Sequence, residues 1–231
     1  MPGPTQAEKK ELFQRHFLLS RLNSEEIDAL LAYTRVERYR AGREIFSKGS
    51  PGDCMMAVMK GRVKISSLSP EGKEIVLNII SPGEIFGEIA LLDGKERTAD
   101  ATAMSDCELL VLSRRDFLPF LERRADLCLM LLSVLCERLR RTSEQLEDVS
   151  FRHLQSRLAK TLLRLGRSTA TPKARAIRID LKLSQRELAN IVGGTRESIN
   201  KHLHLLQKSG VIGLDHGAIV IKDVAALERL A

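Results

Sequence analysis

The stretch LSQRELANIVGGTRESINKHLHLLQKSGVI, residues 183–212, contains two short amphipathic segments separated by glycines. Ser184 followed by Glu187 is a capping-box pattern, so the first helix is predicted to begin there. Gly193–Gly194 ends it, because glycine accepts the left-handed backbone of a tight turn. Thr195 is predicted to cap a second helix. Two helices joined by so short a turn form a helix-turn-helix.

The second helix of this motif has one apolar and one polar face. Ile199, Leu203 and Leu206 recur at helical spacing and are expected to face a core. In a helix-turn-helix the second helix enters the major groove, where Arg196 suits guanine and Glu197 accepts from cytosine N4. The predicted DNA-binding residues are Ser184, Gln185, Thr195, Arg196, Glu197, Asn200 and Lys201. The alternative is an ordinary helical hairpin with a charged surface.

The charge of the chain is concentrated around this motif. Residues 151–231 hold 15 Lys+Arg and 6 Asp+Glu, whereas residues 1–150 hold 22 and 24. A basic C-terminal third is expected of a segment that binds a polyanion such as DNA. Directly after the motif, VIGLDHGAIVI (211–221) predicts a β-hairpin that would form a wing. Before it, apolar spacing from Leu154 predicts a helix, and 166–175 predicts a loop.

Residues 115–150 have a heptad pattern that steps alternately by four and three. Its members are Cys128, Leu132, Leu135, Leu139, Thr142, Leu146 and Val149. Charged residues flank this narrow stripe, which favours a coiled-coil dimer over a helix packed on its own sheet. The hydroxyl of Thr142 is unusual in such a seam, and it either sets the register or faces a ligand.

The N-terminal two-thirds of the chain has two other patterns. Residues 8–33 predict helices, with a helix start at Ser24. From 36 to 113, short apolar runs alternate with turn clusters, which indicates an antiparallel sandwich or barrel. The turn clusters are KGSPGD (48–53), MKGR (59–62), SPEGKE (69–74), SPGE (81–84) and LDGKE (92–96).

One apolar segment of this region, FGEIALLDGKERTA (86–99), has a carboxylate at Glu88 and a guanidinium at Arg97. Such charges either solvate the rim of a core or together hold a ligand with hydroxyl groups and negative charge. A P-loop has a glycine five residues before its Gly-Lys pair. Neither Gly72–Lys73 nor Gly94–Lys95 has one, so the chain contains no P-loop. No HExxH or GxSxG sequence occurs either, and we predict that the protein is not an enzyme.

The four cysteines are widely spaced and none forms a CxxC pair. A chain of 231 residues needs no disulfide framework, so a reducing compartment is expected. No apolar run approaches 18 residues, and the polar N-terminus lacks the apolar core of a signal peptide. These observations predict a soluble cytoplasmic protein.

Taken in order, these segments resemble the Crp/Fnr superfamily of transcription regulators from about residue 12 to 225. The strongest matches are FGEIALLDGKERTA, RRTSEQLEDV (140–149) and GGTRESINKHLHLLQKSGVI (193–212). The resemblance implies an α+β fold: an antiparallel β-roll that binds cyclic nucleotide (1–121), a dimerisation helix (122–150) and a winged helix-turn-helix (151–231). It also implies a homodimer, double-stranded DNA and RNA polymerase as partners, and no metal.

The resemblance assigns roles within FGEIALLDGKERTA. Gly87 lets the backbone approach a cyclic phosphate, Arg97 pairs with that phosphate, and Glu88 accepts from the ribose 2′-hydroxyl. Thr142 and Ser143 would contact the base, one from each subunit. The implied cyclic-nucleotide-binding residues are Ile65, Ile80, Gly87, Glu88, Ile89, Ala90, Arg97, Thr98, Thr142 and Ser143.

The resemblance makes cAMP the expected allosteric effector and leaves other ligands open. Thr98 stands where bacterial members usually have serine, and a threonine there resembles cGMP-binding domains, so cGMP remains an alternative, as does another effector. Lys201 stands where the family pattern has an arginine. The base that this position contacts in each DNA half-site is therefore expected to be recognised less strictly. Residues 1–53 contain no cysteine for an iron–sulfur cluster, and the five histidines do not converge on a haem site.

Overall fold

The computed structural model of the chain divides into two compact units, Met1–Arg140 and Arg141–Ala231. It describes residues 24–167, 176–179, 183–215 and 218–231. The predicted helix before Ser24, most of the predicted loop 166–175 and the turn His216–Gly217 lie outside the described residues. The division between the units falls inside a single long helix, which was predicted as a separate dimerisation element. The exact domain limits therefore stay a prediction.

The first unit consists of two antiparallel sheets and the helices that cover them. Its strands are β1 (Thr34–Tyr39), β2 (Glu44–Phe46), β3 (Cys54–Lys60), β4 (Val63–Leu68), β5 (Glu74–Ile80), β6 (Ile85–Phe86), β7 (Asp100–Ala103) and β8 (Cys107–Ser113). Its helices are α1 (Ser24–Ala32), α2 (Glu88–Asp93), α3 (Arg114–Glu122) and the start of α4 (Ala125–Phe151). The sheet orders are β1-β8-β3-β6 and β2-β7-β4-β5. The predicted antiparallel β architecture is confirmed.

Strand β3 is buried on both of its faces, which explains its almost continuous apolar sequence CMMAVMK. Successive side chains of a strand point to opposite faces. Cys54, Met56 and Val58 therefore face the core between the two sheets. Met55 and Ala57 pack instead with residues of the covering helices. The strand thus separates two apolar clusters within one unit.

Helix α4 (Ala125–Phe151) uses two different faces. Leu127, Met130 and Leu131 are buried in the first unit's helix-covered core. The predicted seam is largely uncovered: Leu132, Leu139, Leu146 and Val149 are between 55% and 69% exposed. One face of the helix therefore packs on its own unit, whereas a dimer along the exposed heptad stripe stays a prediction.

The second unit continues from α4 into α5 (Leu154–Arg167), β9 (Ile177–Ile179), α6 (Gln185–Val192), α7 (Arg196–Lys208), β10 (Ile212–Asp215), β11 (Ala218–Ile221) and α8 (Val224–Leu230). The three strands form an antiparallel sheet in the order β10-β11-β9. Leu188, Ile199 and Leu203 pack with Leu158 and Ile221 in one core. The helix-turn-helix and the hairpin after it are as predicted. Among the described residues, no helix is both long and apolar enough to cross a membrane.

Candidate functional site

The short helix α2 is bounded by two glycines whose backbone is left-handed. Gly87, at φ 79°, joins β6 to the helix, and Gly94, at φ 72°, ends it. A Cβ at Gly87 would lie 2.6 Å from Arg97 Nη1, so a side chain there would displace the guanidinium. The glycine therefore sets the turn and also allows Arg97 to lie directly against the backbone.

Arg97 is 4% exposed and is held on several sides. Its Nη1 donates to the carbonyl of Gly87 at 2.9 Å, and its Nη2 donates to Cys54 Sγ at 3.3 Å. The guanidinium carbon lies 4.2 Å from the ring centroid of Phe46, a cation–π distance. Its backbone exchanges two 2.8 Å hydrogen bonds with Gly49 and Ser50. The Nε–H is buried and has no hydrogen-bond partner among the described residues.

Glu88 is even more buried, at 1% exposed. Its Oε1 is paired with Arg138 Nη1, while Nη2 of the same arginine donates to the carbonyl of Ile85. Its Oε2 is buried and accepts no hydrogen bond among the described residues. A buried polar atom without a partner costs about 1–3 kcal/mol. Oε2 is therefore able to accept a hydrogen bond from water or from a bound group.

Glu88 and Arg97 line the same recess. Its volume is about 70 Å³, and it opens to solvent. Its lining residues are Phe46, Ile65, Phe86, Gly87, Glu88, Ile89, Ala90, Arg97, Thr98, Ala99 and Arg138. This is the volume of about two water molecules, so only a small group fits inside it.

Seven of the predicted nucleotide-binding residues line this recess, and three do not. Ile80 is 1% exposed and lies in the core between the sheets. The strand register explains the difference, because Ile80 pairs with Val63 while Asn78 pairs with Ile65. Thr142 and Ser143 are exposed on α4. They belong to the second unit, so their contact with a base stays a prediction.

Sequence reasoning missed three residues that contact the two charged groups: Phe46, Cys54 and Arg138. Arg138 is one of the charged residues that flank the predicted heptad stripe. Its place one helical turn before Thr142 puts the two on one face of the helix, which was an available signal. The contacts of Phe46 and Cys54 with Arg97 had no such local signal. Burial raises the pKa of the Cys54 thiol, with Arg97 acting in the opposite direction.

The helix-turn-helix is fixed by its own end groups. Ser184 Oγ accepts from the backbone of Glu187 at 3.2 Å, and the reciprocal half of the capping box is present. Gly193 ends α6 with φ 74°. Thr195 Oγ1 accepts from the Ser198 backbone at 3.2 Å. Both predicted caps are confirmed, and they hold the first turn of α7 in a defined position.

The outer face of α7 carries the charged residues that were predicted to read DNA. Arg196, Glu197 and Lys201 are exposed. Asn200 differs, because its Oδ1 accepts from Gln185 Nε2 at 3.0 Å, so these two side chains connect α6 to α7. The amide nitrogen of Asn200 is still a donor for adenine or phosphate, but the pair also has a structural role.

Comparisons with known proteins match both units. A model of the cyclic nucleotide-binding domain matches residues 36–124, and one of the Crp-like helix-turn-helix domain matches residues 156–230. A protein of Mycobacterium tuberculosis named CRP-like cAMP-activated global transcriptional regulator is 32% identical over 221 residues, covering 96% of this chain and 99% of its own. The chain belongs to the Crp/Fnr family of transcription regulators.

Two further proteins that are similar to this chain are informative. The Cyclic AMP receptor protein of Thermus thermophilus is 35% identical over 210 residues, covering 91% of this chain and 94% of its own. The structure of the regulator CLP of Xanthomonas campestris, described as c-di-GMP responsive, matches with a TM-score of 0.73 and 25% identity. That match covers 86% of this chain and 99% of the other.

Family membership confirms several expectations. The predicted α+β architecture matches Crp-like structures. The family consists of transcription regulators and not of enzymes, and dimers under allosteric control are typical of it. The chain is thus a cyclic-nucleotide-binding, DNA-binding regulator of this family. Among the described residues, no group of His, Cys, Asp and Glu is arranged to hold a metal ion.

Proposed function

We propose that this protein is a cAMP-dependent transcription regulator that binds palindromic DNA as a homodimer. The observation that carries the proposal is that two buried charged residues, Glu88 and Arg97, line one recess and that each keeps an unpartnered polar atom, Glu88 Oε2 and Arg97 Nε. One is an acceptor on a carboxylate and the other a donor on a guanidinium. A ligand that satisfies both offers a hydroxyl group beside an anion, which a ribose cyclic phosphate does.

The fit follows from the volume and the charge of the recess. The recess volume of about 70 Å³ suits a phosphate, and the opening to solvent leaves room for the sugar. Arg97 would bind the phosphate through charge-assisted hydrogen bonds, while Glu88 would accept from the 2′-hydroxyl. The exposed hydroxyl of Thr98 lies at the same recess and is available to phosphate or base.

The choice of cAMP rests on relatives over nearly the whole chain, two of which are named for cAMP. The second candidate is cGMP, and the observation in its favour is the exposed Thr98 hydroxyl, since threonine at this position resembles cGMP-binding domains. A third is a different effector, as in the relative described as c-di-GMP responsive. Each of these three ligands would have to form hydrogen bonds with Glu88 and Arg97.

The DNA part of the proposal rests on α7 and the exposed seam. Leu132, Leu139 and Leu146 offer an apolar stripe at heptad spacing, which a second copy of the chain would cover. A two-fold dimer then presents two recognition helices, which need half-sites about 34 Å apart. Thr142 and Ser143 would face the base from the seam. RNA polymerase is the proposed further partner, and the cytoplasm the proposed location.

Calorimetric titration tests the effector. We expect cAMP to bind wild type, and Arg97→Leu to remove that binding while a matched surface variant, Arg43→Leu, binds as wild type does. Arg43 is an exposed arginine of the same unit. If cGMP or c-di-GMP binds more tightly than cAMP, that nucleotide is the effector instead. If Arg97→Leu binds cAMP as tightly as wild type does, the recess is not the nucleotide site.

The same titration with a palindromic DNA fragment tests the coupling. Because coupling between two sites is reciprocal, a DNA that binds more tightly with cAMP must also raise the affinity for cAMP. Identical cAMP affinity with and without the DNA would contradict a cAMP-dependent regulator.

A further inference from the structure

Arg97 donates a hydrogen bond to the sulfur of Cys54, a residue to which the comparisons with known proteins assign no role. Cys54 begins strand β3, and its side chain points into the core between the two sheets, where it is 7% exposed. Its Sγ lies 3.3 Å from Arg97 Nη2, across 43 residues of sequence. With the Phe46 ring against the guanidinium and the Gly87 carbonyl on Nη1, Cys54 completes an enclosure of the guanidinium.

A count of donors indicates that this enclosure leaves Arg97 able to bind an anion. A guanidinium carries five N–H donors. The Gly87 carbonyl and Cys54 Sγ take one each, so three are left, including the buried Nε–H. Cys54 therefore fixes the plane of the guanidinium without occupying the donors that a phosphate needs.

The chemistry of sulfur suits this position. A carboxylate in place of Cys54 would orient Arg97 but would also neutralise it and compete with an anionic ligand. A thiol is a weak acceptor without charge. Burial raises the pKa of Cys54, so the thiol stays neutral at neutral pH although Arg97 favours the thiolate.

We propose that Cys54 is a positioning residue for the anion-binding arginine: its thiol holds the Arg97 guanidinium in the orientation in which the remaining N–H donors bind an anion at the recess. The proposal rests on the proposed cyclic-nucleotide function. It adds a residue that binds no ligand atom itself and acts through Arg97.

Two substitutions separate orientation from packing. Cys54→Ser keeps an acceptor but introduces a hydroxyl into an apolar core. Cys54→Val removes the acceptor and keeps an apolar side chain with a good strand propensity. If Cys54 only packs, affinity for cAMP follows stability and the serine variant is the weaker binder. If Cys54 positions Arg97, we expect the reverse: Cys54→Ser melts lower but binds within about twofold of wild type, while Cys54→Val binds about 3- to 10-fold more weakly.

The experiment is calorimetric titration of the full chain with cAMP, beside a thermal melt of each variant. Adenosine, which lacks the phosphate, is titrated as a second ligand, and its affinity is expected to be equal for wild type and Cys54→Val. A loss for cAMP and adenosine alike, or a cAMP affinity for Cys54→Val equal to wild type, would overturn the positioning role alone. Absence of cAMP binding by wild type would overturn the proposed function and, with it, this role.

Discussion

Replacing Arg138 with leucine is expected to leave the buried carboxylate of Glu88 without its ion-pair partner. Glu88 is 1% exposed and Arg138 is 29% exposed, and their ion pair joins residues 50 apart in sequence. In Arg138→Leu both Glu88 oxygens lack a partner, and the Ile85 carbonyl loses its donor as well. The pair therefore decides whether the floor of the recess is stable.

The magnitude follows from the burial of the two partners. Removing one partner of a buried ion pair costs roughly 3–5 kcal/mol because the other charge stays buried. Arg138 is partly exposed, and water can enter the space that it leaves, so we expect about 2–4 kcal/mol. With a urea slope of about 2 kcal/mol per molar, the unfolding midpoint falls by roughly 1–2 M.

Unfolding of the first unit can be followed separately by tyrosine fluorescence. The chain has no tryptophan and two tyrosines, Tyr33 and Tyr39, and both lie in the first unit. Tyrosine emission during urea unfolding at pH 7 therefore reports on the unit that contains the pair.

A double-mutant cycle supplies the control. Glu88→Gln removes the charge, so adding it to Arg138→Leu should recover part of the lost stability, with an interaction free energy of at least about 1.5 kcal/mol. If Arg138→Leu leaves the urea midpoint unchanged, or if Glu88→Gln recovers none of the lost stability, then the unpaired carboxylate of Glu88 is not what destabilises the unit.

Two further predictions concern DNA reading and assembly. Glu197→Ala should bind DNA with relaxed base choice at one half-site position, at a cost of about 1–3 kcal/mol on the preferred sequence; competition binding against operators altered at single positions checks this, and an equal loss on every operator would indicate a structural role. Leu139→Lys should raise the dissociation constant of the dimer by at least about 100-fold, because each protomer loses an apolar contact of roughly 1.5 kcal/mol or more. Sedimentation equilibrium measures this, with Leu129→Lys as the control, since Leu129 is similarly exposed on the same helix but off the heptad stripe; an undisturbed dimer in Leu139→Lys would show that another surface joins the subunits.

The helix-turn-helix could be predicted residue by residue. Its caps at Ser184 and Thr195 and its turn at Gly193 depend on hydrogen bonds that span three or four residues, so the sequence pattern contains both partners. Gly87 and Gly94 could be read in the same way, because the left-handed turns on either side of α2 are local. The heptad stripe of α4 was likewise visible: five of its seven members, from Leu132 to Val149, are exposed, whereas Cys128 and Leu135 are partly buried.

The fine structure of the recess could not be predicted in this way. Ile80 was expected in the pocket and lies instead in the core, because strand register decides which pair of a β-ladder reaches the recess. Phe46 and Cys54 come from strands 51 and 43 residues before Arg97. No pattern in the sequence indicates that these side chains meet, since the contact depends on how two sheets close on each other.

By itself, the sequence determined the local elements and the chemical types of the site: a carboxylate at Glu88, a guanidinium at Arg97 and a capped pair of helices. Only the tertiary structure decided which atoms of those groups are already engaged. Arg138 takes one oxygen of Glu88, and Cys54 and Gly87 take two donors of Arg97, so Oε2 of Glu88 and three donors of Arg97, including the Nε–H, remain. The physical reason is that a hydrogen bond within a helix cap has both partners in neighbouring residues, whereas the partners of a buried charge are brought to it by the packing of distant strands and helices.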